Sequence, residues 1–211
     1  MYPAGVQDAP FLTNHDNVRL ASQLEKQQSK LRNAAAILLT VPGTPFVYYG
    51  EEVGLGNGTT QDDESKRTPM PWDDSAGGGF TSGRPWFPFA PGRDSANVAG
   101  QTDDPDSLLS LYRNLIHLRN QTEALKLGEI QMLSSASERS PVLAFLRKSV
   151  GDQVLVAINV TDSFASAGPF PITAISVQRL LTDKTSVDPS GTSGRWSVTL
   201  PPHAFGIWRL R

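Results

Sequence analysis

The first fifty residues alternate short apolar runs with one helical pattern. Residues 11–13 form a short apolar run that ends abruptly in polar residues, which predicts a strand. Apolar residues recur at helical spacing over residues 29–40, and Pro42-Gly43 ends the predicted helix. Residues 45–49 (PFVYY) predict a buried strand. A strand, a helix and a strand of these lengths predict a right-handed parallel βαβ unit.

The segment from 51 to 103 has a different pattern, because it is rich in Gly, Pro, Asp and Ser and has almost no periodicity. Loops this long are uncommon in a compact domain unless they carry function, as they do at the carboxyl ends of barrel strands. Its aromatic residues predict a packed loop and not a flexible linker: Trp72, Phe80, Trp86, Phe87 and Phe89.

The remainder of the chain predicts one long helix and then only strands. Acidic residues and a proline at 103–106 predict the start of a helix whose apolar stripe runs to about Asn120. From Gly128 onward the apolar period is two, with turn signals between the runs. The sequence therefore predicts an α/β domain over residues 1–126 and an antiparallel β-sandwich over residues 127–211.

Charge and composition exclude several classes of partner. The 19 basic and 21 acidic residues give a net charge of −2 without a long run of either sign, which argues against nucleic acid and anionic membranes. The chain has no cysteine, so it has neither disulfides nor a thiol nucleophile. No export signal follows Met1, and the pattern leaves both a cytoplasmic and a secreted location open.

The richest cluster of polar chemistry is Asn14-His15-Asp16, followed by Arg19. A fixed carboxylate beside an anomeric carbon stabilises the positive charge that develops when a glycosidic bond breaks. A neighbouring imidazole, amide or guanidinium could hold the hydroxyl groups of the sugar. A plainer interpretation carries equal weight: Asn-His-Asp is a polar turn in which Asp16 or Asn17 caps the next helix. A metal site is disfavoured, because His117 and His203 lie far away in sequence.

Four segments, in order along the chain, resemble the α-amylase family of glycoside hydrolases. The first is FLTNHD at 11–16 with Arg19, which is similar to a signature region at the end of the seventh strand of a (β/α)8 barrel. The others are LRNAAAILLTVPGTPFVYYG at 31–50, RTPMPW at 67–72 and DPDSLLSLYRNLIHLR at 104–119. The resemblance implies the C-terminal part of a (β/α)8 TIM barrel, followed by the antiparallel β-sandwich of the family's C-terminal domain.

The resemblance also implies roles for individual residues. Asp16 would be the catalytic aspartate that stabilises the transition state, and His15 would bind the sugar in the subsite before the cleaved bond. Arg19 would contact the same site. Asn14 is suited by its amide chemistry, and not by the resemblance, to orient these groups or bind a hydroxyl of the substrate. The acidic pair Glu51-Glu52 would be structural.

The family's nucleophile and its acid/base would come from segments that precede Met1, and no part of residues 1–10 resembles them. We therefore expect the chain alone to be inactive, to need the N-terminal part of the barrel as a partner, and to associate through residues 10–50 if purified alone. No cofactor is expected in the chain itself, and a structural calcium ion is expected only in the full-length enzyme.

Several activities agree with these patterns. The leading hypothesis is hydrolysis of α-1,4-glucosidic bonds in starch or malto-oligosaccharides, with an α-glucosidase or a trehalose-forming transglycosylase as alternatives. A non-catalytic relative that binds carbohydrate or protein is a further alternative, in which Trp72, Trp86 or Trp196 would stack on sugars. The alternating apolar neighbours of Trp196 and Trp208 favour a core position for both.

Overall fold

A computed structural model describes residues 6–134, 140–183 and 186–211. Its helices are α1 Leu20–Gln23, α2 Gln28–Thr40, α3 Val98–Thr102, α4 Leu108–Gln121 and α5 Glu123–Leu127, with 3-10 helices at Glu51–Val53 and Asp63–Lys66. Its strands are β1 Glu129–Met132, β2 Val142–Ser149, β3 Asp152–Asn159, β4 Ala165–Phe170, β5 Val177–Thr182, β6 Ser190–Thr192, β7 Arg195–Leu200 and β8 Phe205–Leu210. Within these ranges, no helix has the length and apolar character needed to cross a bilayer.

The chain forms two compact units. One consists mainly of residues 115–211 together with residues 39–44, and the other of residues 9–38 and 45–114. The predicted boundary between an α/β domain of residues 1–126 and a sandwich domain of residues 127–211 stays a prediction.

Helix α2 confirms the predicted helix over residues 29–40. Its apolar stripe is buried at Leu31, Ala35, Leu38 and Leu39. The chain then turns at Gly43, whose φ of +94° favours glycine. A Cβ atom at this position would lie 2.4 Å from the backbone oxygen of Asp8, so this close approach also requires glycine.

The predicted strands at 11–13 and 45–49 are present only as one residue pair. Phe11 and Phe46 form an isolated parallel bridge, so the predicted direction is correct but the predicted length is not. The prediction that 45–49 is buried is wrong, because Phe46 is 59% exposed and Val47 is 37% exposed. A parallel strand is buried by neighbours on both sides, and no strand in the described ranges pairs with this segment. Pro10 and Pro45 also lack the N–H groups that would extend the ladder.

The loop over 51–103 is packed, as its aromatic content predicted. It has an apolar cluster of its own, formed by Val53, Leu55, Met70 and Ala90 with Leu109 of α4. Three of its large aromatic side chains nevertheless remain exposed, namely Trp72, Phe80 and Trp86.

Helix α4 begins at Leu108, a few residues after the predicted start at 103–106. The Ser107 hydroxyl accepts a hydrogen bond from the backbone N–H of Ser110 at 3.1 Å and thereby caps the helix. Asp104 instead forms a turn, because its carboxylate accepts the N–H of Asp106 at 2.8 Å. The acidic residues therefore lead into the helix without belonging to it.

The C-terminal strands form the predicted antiparallel sandwich. One sheet has the strand order β1-β2-β3-β8-β5 and the other has the order β4-β7-β6. The apolar positions of the two sheets form one cluster that includes Trp196 and Trp208. These indoles are 6% and 0% exposed, which confirms that both are core residues.

Two buried arginines form hydrogen bonds with backbone carbonyls of residues 39–44, which belong to the same unit as the sandwich. Arg119 of α4 donates hydrogen bonds to the carbonyl oxygens of Leu39 and Val41, at 3.0 and 2.8 Å. Arg147 of β2 donates to the carbonyl oxygens of Thr40 and Gly128. Burial, and then the neighbouring Arg119, lowers the pKa of Arg147 to about 10, so the guanidinium remains charged at neutral pH.

Candidate active site

Asn14, His15 and Asp16 form a tight polar turn. The backbone N–H of Asp16 donates to the side-chain oxygen of Asn14 at 2.9 Å, and the N–H of Asn17 donates to the Asn14 carbonyl at 3.2 Å. The next helix, α1, has Arg19 at its N-cap position and no side-chain cap. The interpretation of Asp16 or Asn17 as a helix cap is therefore wrong. The turn instead leaves the side chains of His15 and Asp16 63% and 65% exposed.

Each oxygen of the Asp16 carboxylate faces a nitrogen atom. Oδ1 lies 3.2 Å from Nη2 of Arg67, and Oδ2 lies 3.4 Å from Nε2 of His15. Contacts of this kind to an exposed carboxylate add little to stability. They do fix its direction, because a guanidinium offers donors in a planar fork.

The cations that hold this turn come from residues 63–67, which we name the 63–67 clamp. Nζ of Lys66 donates to the backbone oxygen of Asp16 at 3.1 Å, and Nε of Arg67 donates to that of His15 at 3.2 Å. Asp63 pairs with Lys66 at 2.9 Å and with Arg67 at 3.6 Å. The hydrogen bond from Lys66, followed by the two nearby positive charges, lowers the pKa of the Asp63 carboxyl.

Sequence reasoning missed the clamp. Arg67 was singled out only as the first residue of the RTPMPW motif, and Asp63 and Lys66 were not singled out at all. The signal that could have found them is the i, i+3 and i, i+4 spacing of one acidic and two basic residues, which places the three on one helical face.

Arg19 follows the turn in the chain and is fully buried. Its guanidinium carbon is 4.5 Å from the centroids of both the Tyr48 and Tyr49 rings, and its Nη1 donates to the Tyr49 carbonyl at 2.7 Å. Burial lowers the pKa of Arg19, and the two neighbouring tyrosines raise it by a smaller amount. The cation beside Asp16 is thus Arg67, and a contact between Arg19 and substrate stays a prediction.

Of the acidic pair after residue 50, Glu51 is buried and Glu52 is partly buried. Glu51 accepts hydrogen bonds from the Thr13 hydroxyl and from the Tyr48 N–H. It thereby connects the segment that ends in Asn14, His15 and Asp16 with the segment 45–49 that leads into the long loop. Oε2 of Glu52 is buried without a hydrogen-bond partner. Burial raises the pKa of both carboxyls.

We expect Glu52→Gln to stabilise the protein at neutral pH. Because burial raises the folded-state pKa of Glu52, the folded state holds this proton more tightly than the unfolded state, and stability falls as pH rises through that pKa. The free energy of unfolding at pH 7 should rise by about 1 kcal/mol in the variant, and the gain should vanish by about pH 3. Urea unfolding at both pH values measures this. The exposed Glu129→Gln is the control, and a loss of stability in Glu52→Gln at pH 7 would contradict the prediction.

The other histidines are far from this chemistry. Nε2 of His203, which is 8% exposed, lies 2.7 Å from an oxygen of Asp162 in the sandwich, and His117 lies on the exposed face of α4. Across residues 6–134, 140–183 and 186–211, no group of three or more acidic, histidine or cysteine side chains is arranged to hold a metal ion. The expectation of structural calcium in a longer enzyme stays a prediction, and no chemical step below depends on it.

Comparison with known proteins matches two family models. The alpha amylase catalytic domain matches residues 2–128, and the maltogenic amylase C-terminal domain matches residues 131–207. Trehalose synthase from Thermus thermophilus is 34% identical over all of this chain, which covers 23% of that protein. Alpha-amylase SusG from Bacteroides thetaiotaomicron is 30% identical over 99% of the chain and 30% of its own length.

The solved structures give the same result. Trehalulose synthase MutB from Pseudomonas mesoacidophila MX-45 has a TM-score of 0.81 at 28% identity, over 99% of this chain and 44% of that one. The chain belongs to the α-amylase family of glycoside hydrolases and transglycosylases. Its fold is the C-terminal part of a (β/α)8 barrel followed by an antiparallel β-sandwich. The chain spans less than half the length of each of these relatives.

Proposed function

We propose that this chain supplies the transition-state-stabilising carboxylate of a retaining glycosidase that cleaves α-1,4-glucosidic bonds in starch or malto-oligosaccharides. One observation carries the proposal. One oxygen of the Asp16 carboxylate accepts a hydrogen bond from Arg67 and the other lies 3.4 Å from Nε2 of His15, while 65% of the side chain remains open to solvent. Asp63 is restrained in a similar way by Lys66 and Arg67, so the restraint supports catalysis by Asp16 only together with the position of Asp16 in the FLTNHD motif of the matched catalytic domain.

The chemistry follows from charge. Cleavage of a glycosidic bond passes through an oxocarbenium-like state in which positive charge develops at the anomeric carbon. A carboxylate fixed beside that carbon stabilises this state more than the neutral ground state, which is what accelerates a reaction. The exposure of His15 beside Asp16 supports the inference that its ring binds a hydroxyl group of the same sugar.

A retaining reaction also needs a nucleophile and a general acid, whose carboxyl groups lie about 5–5.5 Å apart. The family resemblance assigns them to earlier barrel strands, and the chain covers 44% or less of the relatives named above. We therefore propose that the active enzyme joins this chain to the preceding part of the barrel. The exposed apolar side chains of Phe11, Phe46 and Val47 are suited to pack against those strands.

A second candidate is supported by the relative named trehalose synthase, which is 34% identical over the whole chain. In that case the glucosyl group would pass to a sugar hydroxyl and not to water. The carboxylate at position 16 would have the same role in both reactions, because bond cleavage comes first in each.

Product analysis tests the proposal. The enzyme that contains this chain together with its barrel strands is incubated with maltoheptaose and, separately, with maltose. We expect shorter malto-oligosaccharides from maltoheptaose. Glucose as the sole product would indicate an α-glucosidase, and trehalose from maltose would indicate the transglycosylase. Absence of any product from both sugars would contradict a glycosidase.

A further inference from the structure

Tyr48 and Tyr49 hold the backbone on both sides of Arg67. The Tyr48 hydroxyl donates a hydrogen bond to the carbonyl oxygen of Lys66 at 3.1 Å, and the Tyr49 hydroxyl donates one to that of Thr68 at 2.7 Å. Lys66 and Thr68 are the residues directly before and after Arg67. Because a side chain starts from its own backbone, anchoring both neighbours restricts where the Arg67 guanidinium can lie.

A buried cation holds the two tyrosine rings. The guanidinium carbon of Arg19 is 4.5 Å from the centroid of each ring, and the rings meet edge to face with their centroids 4.8 Å apart. Neighbouring residues of a strand point to opposite faces, so Tyr48 and Tyr49 can contact one guanidinium only where the backbone departs from strand geometry. It does so here, because neither residue lies in a strand. The absence of the strand predicted at 45–49 therefore allows both hydroxyls to reach residues 66–68.

We propose that Tyr48 and Tyr49 are positioning residues for the Asp16 carboxylate and act on it through Arg67; this inference rests on the proposed function. Arg67 donates to Oδ1 of Asp16 from Nη2 and to the carbonyl oxygen of His15 from Nε, each at 3.2 Å. A shift of the Arg67 backbone therefore moves both contacts together. Burial raises the pKa of Tyr48 to about 12, so its hydroxyl keeps its proton and donates at neutral pH.

Tyr48→Phe removes one hydroxyl and keeps the ring beside Arg19. In the complete enzyme it should lower kcat for maltose about threefold and change KM by less than about twofold, because the carboxylate is less well placed against the reacting carbon. Removal of both hydroxyls, in Tyr48→Phe with Tyr49→Phe, should lower kcat about tenfold. Tyr112→Phe is the matched control. Its hydroxyl is also buried but has no hydrogen-bond partner in the part of the chain that the structure describes, so kcat should not change.

The same substitution in an Arg67→Gln enzyme separates positioning from a structural role. If Tyr48 acts through Arg67, Tyr48→Phe should change kcat by less than about 1.5-fold in this background, since the group that it positions is gone. An equal loss of kcat in both backgrounds would overturn the inference. A lower midpoint of unfolding with an unchanged kcat would also overturn it, because the hydroxyl would then only fasten the loop.

Hydrogen exchange in the complete enzyme tests the anchoring without turnover. The backbone N–H of Arg67 donates to the carbonyl oxygen of Glu64 at 2.9 Å. Tyr48→Phe should accelerate exchange of this N–H about fivefold, as expected for the loss of one nearby hydrogen bond, and Tyr112→Phe should not. Unchanged exchange in Tyr48→Phe would overturn the anchoring even in an enzyme without activity. Accelerated exchange, together with a wild-type kcat in Asp16→Asn, would refute the proposed function and leave the anchoring of Arg67 in place.

Discussion

Replacing Asp16 by asparagine should lower kcat of the complete enzyme about 1000-fold, which corresponds to roughly 4 kcal/mol of transition-state stabilisation. Asparagine has nearly the same shape, and its one side-chain oxygen can still accept the hydrogen bond from Arg67. It lacks the negative charge that opposes the developing charge at the anomeric carbon. Because the substrate is neutral before the bond breaks, KM should change by less than about threefold. Steady-state kinetics with maltoheptaose measures both constants.

The control for this experiment is Asp74→Asn, which makes the same substitution at an exposed position in the loop and should leave kcat unchanged. Circular dichroism and thermal unfolding should show the same fold in the wild type and both variants, because the exposed ion pairs of Asp16 add little to stability. A kcat within about tenfold of wild type in Asp16→Asn would mean that Asp16 does not face the reacting carbon, and the proposed function would fail.

The fold was predictable wherever a local pattern decides it. The apolar spacing over 29–40 gives helix α2, and the alternation around Trp196 and Trp208 gives buried strands of the sandwich. Strand predictions failed at 45–49 for a physical reason. An apolar run becomes a buried strand only when other strands cover it, and Phe46 is left exposed.

The candidate site was predictable only in part, because its residues come from separate segments. Asn14, His15 and Asp16 are adjacent in the chain, so one motif shows them together. Arg67 lies 51 residues further on, and nothing in the local pattern around it indicates a contact with Asp16. The contact of Arg19 with two tyrosine rings likewise depends on residues 48–49, about thirty positions away. Contacts of this kind arise from the tertiary fold and not from periodicity.

The second large effect is expected at the 63–67 clamp. Arg67→Gln should lower kcat about 30-fold with little change in KM for maltose, because it removes the contact to Asp16 Oδ1 and the donor to the His15 carbonyl. A catalytic group displaced by about 1 Å loses up to two orders of magnitude in rate. Arg67→Lys should recover part of kcat, since an ammonium keeps the charge but offers no planar fork. The short substrate is chosen because Arg67 also lines an open concavity with Trp72 and Trp86, which a longer glucan could reach.

Two further variants separate positioning from a general loss of structure. Arg84→Gln makes the same change at an exposed arginine of the same loop and should leave kcat unaffected. Asp63→Asn keeps Arg67 but removes the charge that pairs with it and with Lys66, so it should lower kcat by a smaller factor, about threefold. If the clamp acts through Asp16, kcat should decrease in the order wild type, Asp63→Asn, Arg67→Lys and Arg67→Gln. KM and the midpoint of unfolding should stay constant across this series. If Arg67→Gln changes KM for maltose as much as kcat, Arg67 binds the substrate directly and the clamp does not act by positioning.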